Sequence, residues 1–395
     1  TIAGFPASRS SNGFSHPPEL AEQLDGMADG QYVEDILNFR NRPLSELAQE
    51  LRQMVDGRFS VAGKLLLTKP WDFMMMVEIA PDRAHHMFWR FFDPEHPGFE
   101  ANSEYAEVIP DFYAHLDTRI SSLLSLMDDE TTVMIVSDHG AMPCHGGVCV
   151  NEWLIRHGYL CLKRKVEKVS RLEPSMIDWS RTAAWSEGGY YGRIFINVKG
   201  REPQGIVELE HYEAFRDELA KKLEEIRTTE GELIRNKVYR PGDLYLDQQN
   251  IPPDLIVYFD GLKRRALSTI GTSAILVKGD GYSLDDCNHD PLGIFICTKL
   301  SDLRSGRIVD KTVEGLSYKD ITPRILSFYD DKTISEDTAP SFFCQGALVF
   351  EPAGVNDPDE SVAPGVSGTK ICQERGFSSE EEEIVRKRLE ELGYI

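Results

Sequence analysis

Residues 131–140 read TTVMIVSDHG. Val133 to Val136 form an unbroken apolar run of strand length. Ser137 follows, then two residues able to bind a metal ion or carry a proton, then a glycine that permits a tight turn. Such a run suits a strand covered on both faces, the habit of parallel sheets flanked by helices. Upstream, WDFMMMVEIA at 71–80 has the same character and ends two residues before Asp82. Between the two runs, Tyr105, Val108, Ile109, Phe112, Leu116, Ile120, Leu123, Leu124 and Met127 recur at steps of three and four, which predicts a long amphipathic helix. Strand, helix, strand predicts a βαβ unit. Such units build open, mostly parallel sheets whose ligands sit beyond the carboxyl ends of the strands.

Further along, GRIFINV, PDLIVYF and LGIFICT read as strands, NEWLIRHGYL as a short helix closed at Gly158, and Val207 to Ile226 as another helix. The expected fold class is therefore α/β. An opening loop and helical covering segment, with Leu44, Leu47, Leu51 and Val55 at helical spacing, is expected over 1–70. The core is expected over 71–350, with an insertion at about 160–270. A surface loop over 351–368 precedes a C-terminal helix at 377–395, where Ser379 and Glu382 make a capping box and Gly393 a stop.

With 395 residues, 41% of them hydrophobic, the chain can bury a substantial core. Its net charge of −22 argues against general nucleic-acid binding or attraction to an anionic membrane, so an anionic substrate requires local positive charge. Bound divalent cations supply it. Seven cysteines without CxxC spacing favour free thiols in a reducing compartment. No run approaches the ~18 apolar residues of a membrane span, and the first residues show no signal pattern; the expected location is cytoplasmic.

Asp82 and His86, four apart after the first strand, share a face if a helix starts there and become neighbouring ligands of one ion. Alone, the pair reads first as a surface pair or a helix cap. Asp138 and His139 follow the second strand, where an Asp-His-Gly turn can grip a second ion or merely satisfy backbone donors. Two Asp/His pairs ending two strands of one sheet should converge. His289, in CNHDPLGIFI, is expected in a defined loop just before another strand, where it can complete the first ion's shell or serve as an ordinary loop histidine. The histidines His16, His85, His96, His115, His145, His157 and His211 are expected to be structural or solvated. Mixed carboxylate and imidazole donors suit Zn²⁺ first, with Mn²⁺ or Fe²⁺ as alternatives. Two ions roughly 3.5–4 Å apart stabilise both the entering and the leaving oxygen of a displacement at phosphorus.

DRAHHMFW, SDHGAM with NEWLIRHGYL, YYGRIFINVKGREPQG, NHDPLGIFI and the ending RLEELGYI together resemble the type I phosphodiesterase/nucleotide pyrophosphatase branch of the alkaline phosphatase superfamily, in order, from about Trp71 to the C-terminus. The resemblance implies a three-layer α/β/α sandwich with a mostly parallel sheet and two metal ions, one held by Asp82, His86 and His289, the other by Asp138 and His139. It implies a small-molecule phosphate ester or nucleotide substrate and a Thr or Ser nucleophile that is transiently phosphorylated. It also implies a further Asp ligand in an early strand-end turn. Neither of these last two is found upstream of Asp82, where Asp25-Gly26 and Asp56-Gly57 follow helical patterns, and the expectation is that an N-terminal portion is missing from this sequence. Sulfatases are disfavoured because Cys144 is followed by His-Gly-Gly, and the HMFW and GRIFIN segments look less like the mutases of the superfamily. Phosphomonoesterase or phosphotransferase activity, or a non-catalytic metal-bound scaffold, are the alternatives. Tyr190, Tyr191 and Arg193 are candidates for the substrate entrance or for ordinary packing at a strand edge.

Overall fold

The computed structural model describes residues 1–329 apart from 5, 6, 8, 10–12, 229–230, 247, 249–250, 279–284 and 308–315. The surface loop over 351–368 and the helix at 377–395 lie outside the described residues.

Four helices make the first layer: α1 (Leu20–Met27), α2 (Leu44–Thr68), α3 (Ala80–Phe92) and α4 (Val108–Leu124). The helical spacing read over 44–55 continues to Thr68, and Leu47, Leu51, Met54, Val55, Phe59, Ala62 and Leu66 form its buried stripe. Leu47, Leu51, Met54, Val55 and Phe59 of that stripe pack with Ala84, Phe88 and Phe91 of α3 and with Ile109, Phe112 and Leu116 of α4. Each of the Leu, Met, Val, Ile and Phe side chains among them contributes about 1.5–3 kcal/mol on full burial. Asp25-Gly26 and Asp56-Gly57 lie inside α1 and α2, as their patterns imply. Pro81 sits in the first turn of α3, where its missing N–H costs no helix bond, and the helix starts at Ala80, two residues before Asp82.

The strands that position the site are β1 (Thr132–Val136), β2 (Gly140–Pro143), β3 (Gly147–Cys149), β4 (Ala184–Glu187), β5 (Gly192–Ile196), β6 (Lys237–Tyr239), β7 (Leu255–Tyr258), β8 (Arg265–Leu267), β9 (Cys287–Asp290) and β10 (Phe295–Lys299). β4, β5, β7 and β6 pair in that order as an antiparallel sheet. Ile194, Ile196, Leu255 and Val257 share a core with the helices α5 (Val150–Arg156) and α6 (Tyr212–Glu224). β1 pairs antiparallel with β10, and β2 antiparallel with β9. The two pairs follow one another along the same two stretches of chain, separated by the turn at Ser137-Asp138-His139. The Ser137 N–H donates to the Ile294 carbonyl across that break (3.0 Å). β3 and β8 are parallel.

Three expectations change. Residues 73–79 are not a buried parallel strand: Phe73, Met75 and Val77 are exposed, and alternate with the part-covered Met74, Met76 and Glu78. The segment lays Met76 and Ile79 on the helical layer, and no described strand pairs with it. An apolar run specifies extension; pairing depends on a partner. Second, the pairings between strands among the described residues are antiparallel apart from β3 with β8, not mostly parallel, with isolated parallel bridges at Val198 with Val207 and Lys199 with Glu202. Third, His289 lies in β9, not in a loop. No helix among the described residues is long and apolar enough to cross a membrane.

Candidate metal centre

Asp82 and His86 stand one turn apart on α3, and His86 is wholly buried. The Asp82 Oδ1 lies 3.2 Å from His86 Nε2, while its Oδ2 accepts from Arg83 (3.0 Å), itself buried and held by Asp35. On the other side, the register of β2 and β9 sets His289 opposite Ala141 and Asp290 opposite Gly140. This carries His289 Nε2 to 3.3 Å from Asp82 Oδ1 and 3.3 Å from His86 Nε2. The His139 ring stacks on that of His289 at 3.6 Å between centroids. Its Nδ1 donates to the Gly140 carbonyl (2.8 Å), which leaves Nε2 with its lone pair, 4.0 Å from Asp82 Oδ1.

A glycine at position 140 is obligatory here. A Cβ at that position would sit 2.0 Å from the Leu292 carbonyl oxygen, closer than any side chain tolerates.

The charge states follow from this crowding. Burial pushes the Asp82 carboxyl up, but His86, the hydrogen bonds from His289 and His86, and Arg83 outweigh it and hold the group far below the usual carboxylate range. Burial pushes His289 down; the hydrogen bond to Asp82 opposes this, and the charges of His86 and His139 add to it. His85, beside the cluster, is lowered to about 4, first by burial and then, against the pull of Asp82, by His86, His139 and His289. His86 goes the other way. Although burial disfavours its cation, the surrounding acidic groups, Cys287, Asp285, Asp82 and Tyr190, raise it well above the ordinary imidazole range.

The donor set fits a metal ion. Donors around a tetrahedral ion at ~2.0 Å are spaced about 3.3 Å apart. The three separations among Asp82 Oδ1, His86 Nε2 and His289 Nε2, at 3.2, 3.3 and 3.3 Å, match that edge length. A second group of donors, Asp82, His139 and His289, lies within 4.8 Å of one another. The first triangle has the spacing of a single ion; His139 stands at its rim. Asp138 does not join either group: its side chain is 90% exposed and its Oδ2 is 3.7 Å from His139 Nε2. The structure thus brings together four of the five residues expected at the site.

Several further residues line the site. Tyr190 stacks on His289 at 3.9 Å and places its hydroxyl 3.4 Å from His86 Nε2, whereas Tyr191 faces Tyr258 and Arg193 is engaged by Glu187. Behind His86 lies Asp285, itself 1% exposed, with Arg40 and Arg265 on its two oxygens. The acidic doublet Asp285-Asp286 is visible in the sequence, but only its position beside β9 brings it against α3. Comparison with known proteins finds no match among curated proteins or solved structures. The family model for type I phosphodiesterase / nucleotide pyrophosphatase matches residues 5–265, which takes in Asp82, His86, Asp138 and His139 and ends before His289.

Proposed function

The chain belongs to the type I phosphodiesterase/nucleotide pyrophosphatase family of phosphoester hydrolases, and from that premise we propose that it cleaves a phosphodiester or nucleotide pyrophosphate bond with divalent cations held at Asp82, His86, His139, His289 and Asp138. The observation that carries this reading is the triangle of Asp82 Oδ1, His86 Nε2 and His289 Nε2 with the edge length of a tetrahedral ion. We assign His86 and His289 with Asp82 to one ion, and His139 with Asp138 to a second, Asp138 reaching it by rotation of its exposed side chain. Zn²⁺ is the first choice for both, Mn²⁺ and Fe²⁺ the alternatives. We also assign the α/β fold to the three-layer α/β/α class of alkaline phosphatase-like proteins, with residues 160–270 as a substrate-side insertion.

Divalent ions bound there supply a Lewis acid for phosphoryl oxygens and the positive charge that a chain of net −22 lacks. The protein's own part is orientation. Asp82 stays ionised at any working pH, held by Arg83 and the imidazoles, and so keeps an anionic donor facing two ring nitrogens. His139, with Nδ1 committed to the Gly140 carbonyl, presents Nε2 alone. Tyr190 closes one side of the cluster with an aromatic face and a hydroxyl that can donate to a phosphate oxygen. The attack itself is assigned to a Thr or Ser hydroxyl that is transiently phosphorylated, and no residue of this chain is named for it.

Hydrolysis of bis(4-nitrophenyl) phosphate, a nucleotide pyrophosphate and 4-nitrophenyl phosphate, before and after exhaustive chelation, tests the reading. Diester or pyrophosphate hydrolysis lost on chelation and restored by Zn²⁺ or Mn²⁺ is the expected result. Hydrolysis that survives chelation overturns it, and metal binding without hydrolysis of any of the three favours a scaffold.

A further inference from the structure

The His86 ring has two nitrogens with different surroundings. Nε2 faces Asp82 and His289, while Nδ1 lies 3.1 Å from Asp285 Oδ2 and 3.6 Å from Cys287 Sγ. We propose that Asp285 is the positioning residue of this centre: it accepts the Nδ1–H of His86 and so points Nε2, whose own proton would give way to a bound ion, at the cluster as a ligand. This rests on the metal reading above and goes beyond it by assigning the group that sets the tautomer.

Three features of the structure point to Asp285 and away from simple charge balance. First, its partners are arranged for orientation. Arg40 grips both oxygens, through Nε to Oδ1 and Nη2 to Oδ2, and Arg265 also reaches Oδ2, so the carboxylate plane cannot turn away from the imidazole. One bidentate arginine would already neutralise the buried charge. Second, the backbone fixes the distance: the Asp286 N–H donates to the carbonyl of His86 itself (2.8 Å), which pins the segment carrying Asp285 to the residue it orients. Third, that segment runs directly into β9, so one stretch of five residues supplies both the ligand His289 and the group that orients the ligand His86. A carboxylate is also a far better acceptor than the neutral Cys287 thiol at the longer distance, because ionised acceptors make the stronger hydrogen bonds.

A ligating histidine held this way typically loses 10- to 100-fold in metal affinity when its outer partner is removed. The experiment uses the chain with Co²⁺ as the probe, followed by its visible absorption, in wild type, Asp285→Asn and Cys287→Ala, with thermal midpoint and far-UV circular dichroism as controls for folding. Asp285→Asn is expected to weaken Co²⁺ binding roughly 10- to 100-fold and Cys287→Ala less than about 3-fold, although both positions pack against the same ring. A folded Asp285→Asn protein with wild-type affinity, or equal losses in the two variants, overturns the proposal. The second measurement needs no variant. In histidine-labelled wild type, the His86 Nδ1–H proton should appear as a slowly exchanging, downfield signal, and its absence overturns the proposal even if Asp285→Asn does not fold. A wild-type chain that binds no Co²⁺ yet shows that signal overturns the metal reading and leaves the Asp285 contact standing. Co²⁺ binding with no change in Asp285→Asn sinks the Asp285 assignment alone.

Discussion

At the scale of single residues, the centre is decided by which charges burial is forced to accept. Asp82 and Asp285 remain ionised because imidazole and guanidinium groups surround them, and removing one partner leaves an uncompensated charge. His289→Ala therefore costs more Co²⁺ affinity than the roughly 10- to 100-fold of an outer partner, read by the same titration; an affinity within a factor of three of wild type contradicts its role as a ligand. Asp286 lies in the opposite condition: burial raises its carboxyl to about 6, against the pull of Arg90 and with the help of Asp285 and Glu100. A raised carboxyl contributes stability that is complete below its unfolded value near 3.8 and disappears as pH rises through about 6. Asp286→Asn should accordingly match wild type in urea at pH 4 and exceed it at pH 7.5 by up to about 3 kcal/mol. A variant less stable than wild type at pH 7.5 would show that the Arg90 ion pair dominates. Asp82, His86, Asp138, His139 and His289 were all legible as chemistry-bearing residue types at ends of apolar runs. Their grouping was only partly so. Asp138 and His139 are adjacent, yet in an extended turn adjacent side chains diverge, and Asp138 points to solvent.

At the scale of elements, helices and the strands at 132–136, 192–196, 255–258 and 295–299 were legible, and the strand partners were not. α2, α4 and α6 follow from periodicity within one stretch of chain, because their hydrogen bonds close locally. The antiparallel partners of β1 and β2 lie about 150 positions away, which no local pattern encodes, and the run at 73–79 does not itself show whether a strand partner exists for it. The β2 and β9 pairing fixes the register that sets His289 at the site, and the Asp286 N–H bond to the His86 carbonyl ties the same segment to α3. Gly140→Ala tests it: the added methyl meets the Leu292 carbonyl at 2.0 Å. The expected result is a loss of at least about 1–3 kcal/mol in denaturant together with weakened Co²⁺ binding. Wild-type values for both would mean that the register around His289 is not held as described.

At the scale of the whole molecule, a chain of net charge −22 has gathered one of its few concentrations of imidazole around a single carboxylate, between a helical layer and a strand pair. Composition told that an anionic substrate would need local positive charge; it could not tell where. The family match covers the helical layer and the first two Asp/His pairs, while the strand that completes the triangle lies beyond it. The account therefore turns on whether His289 and the α3 pair share an ion. Anomalous diffraction at the zinc absorption edge, from crystals soaked in Zn²⁺, measures this directly. The account predicts a peak ~2.0–2.2 Å from Asp82 Oδ1, His86 Nε2 and His289 Nε2 together. Zinc bound elsewhere, with nothing between those three atoms and phosphoester hydrolysis intact, would contradict it.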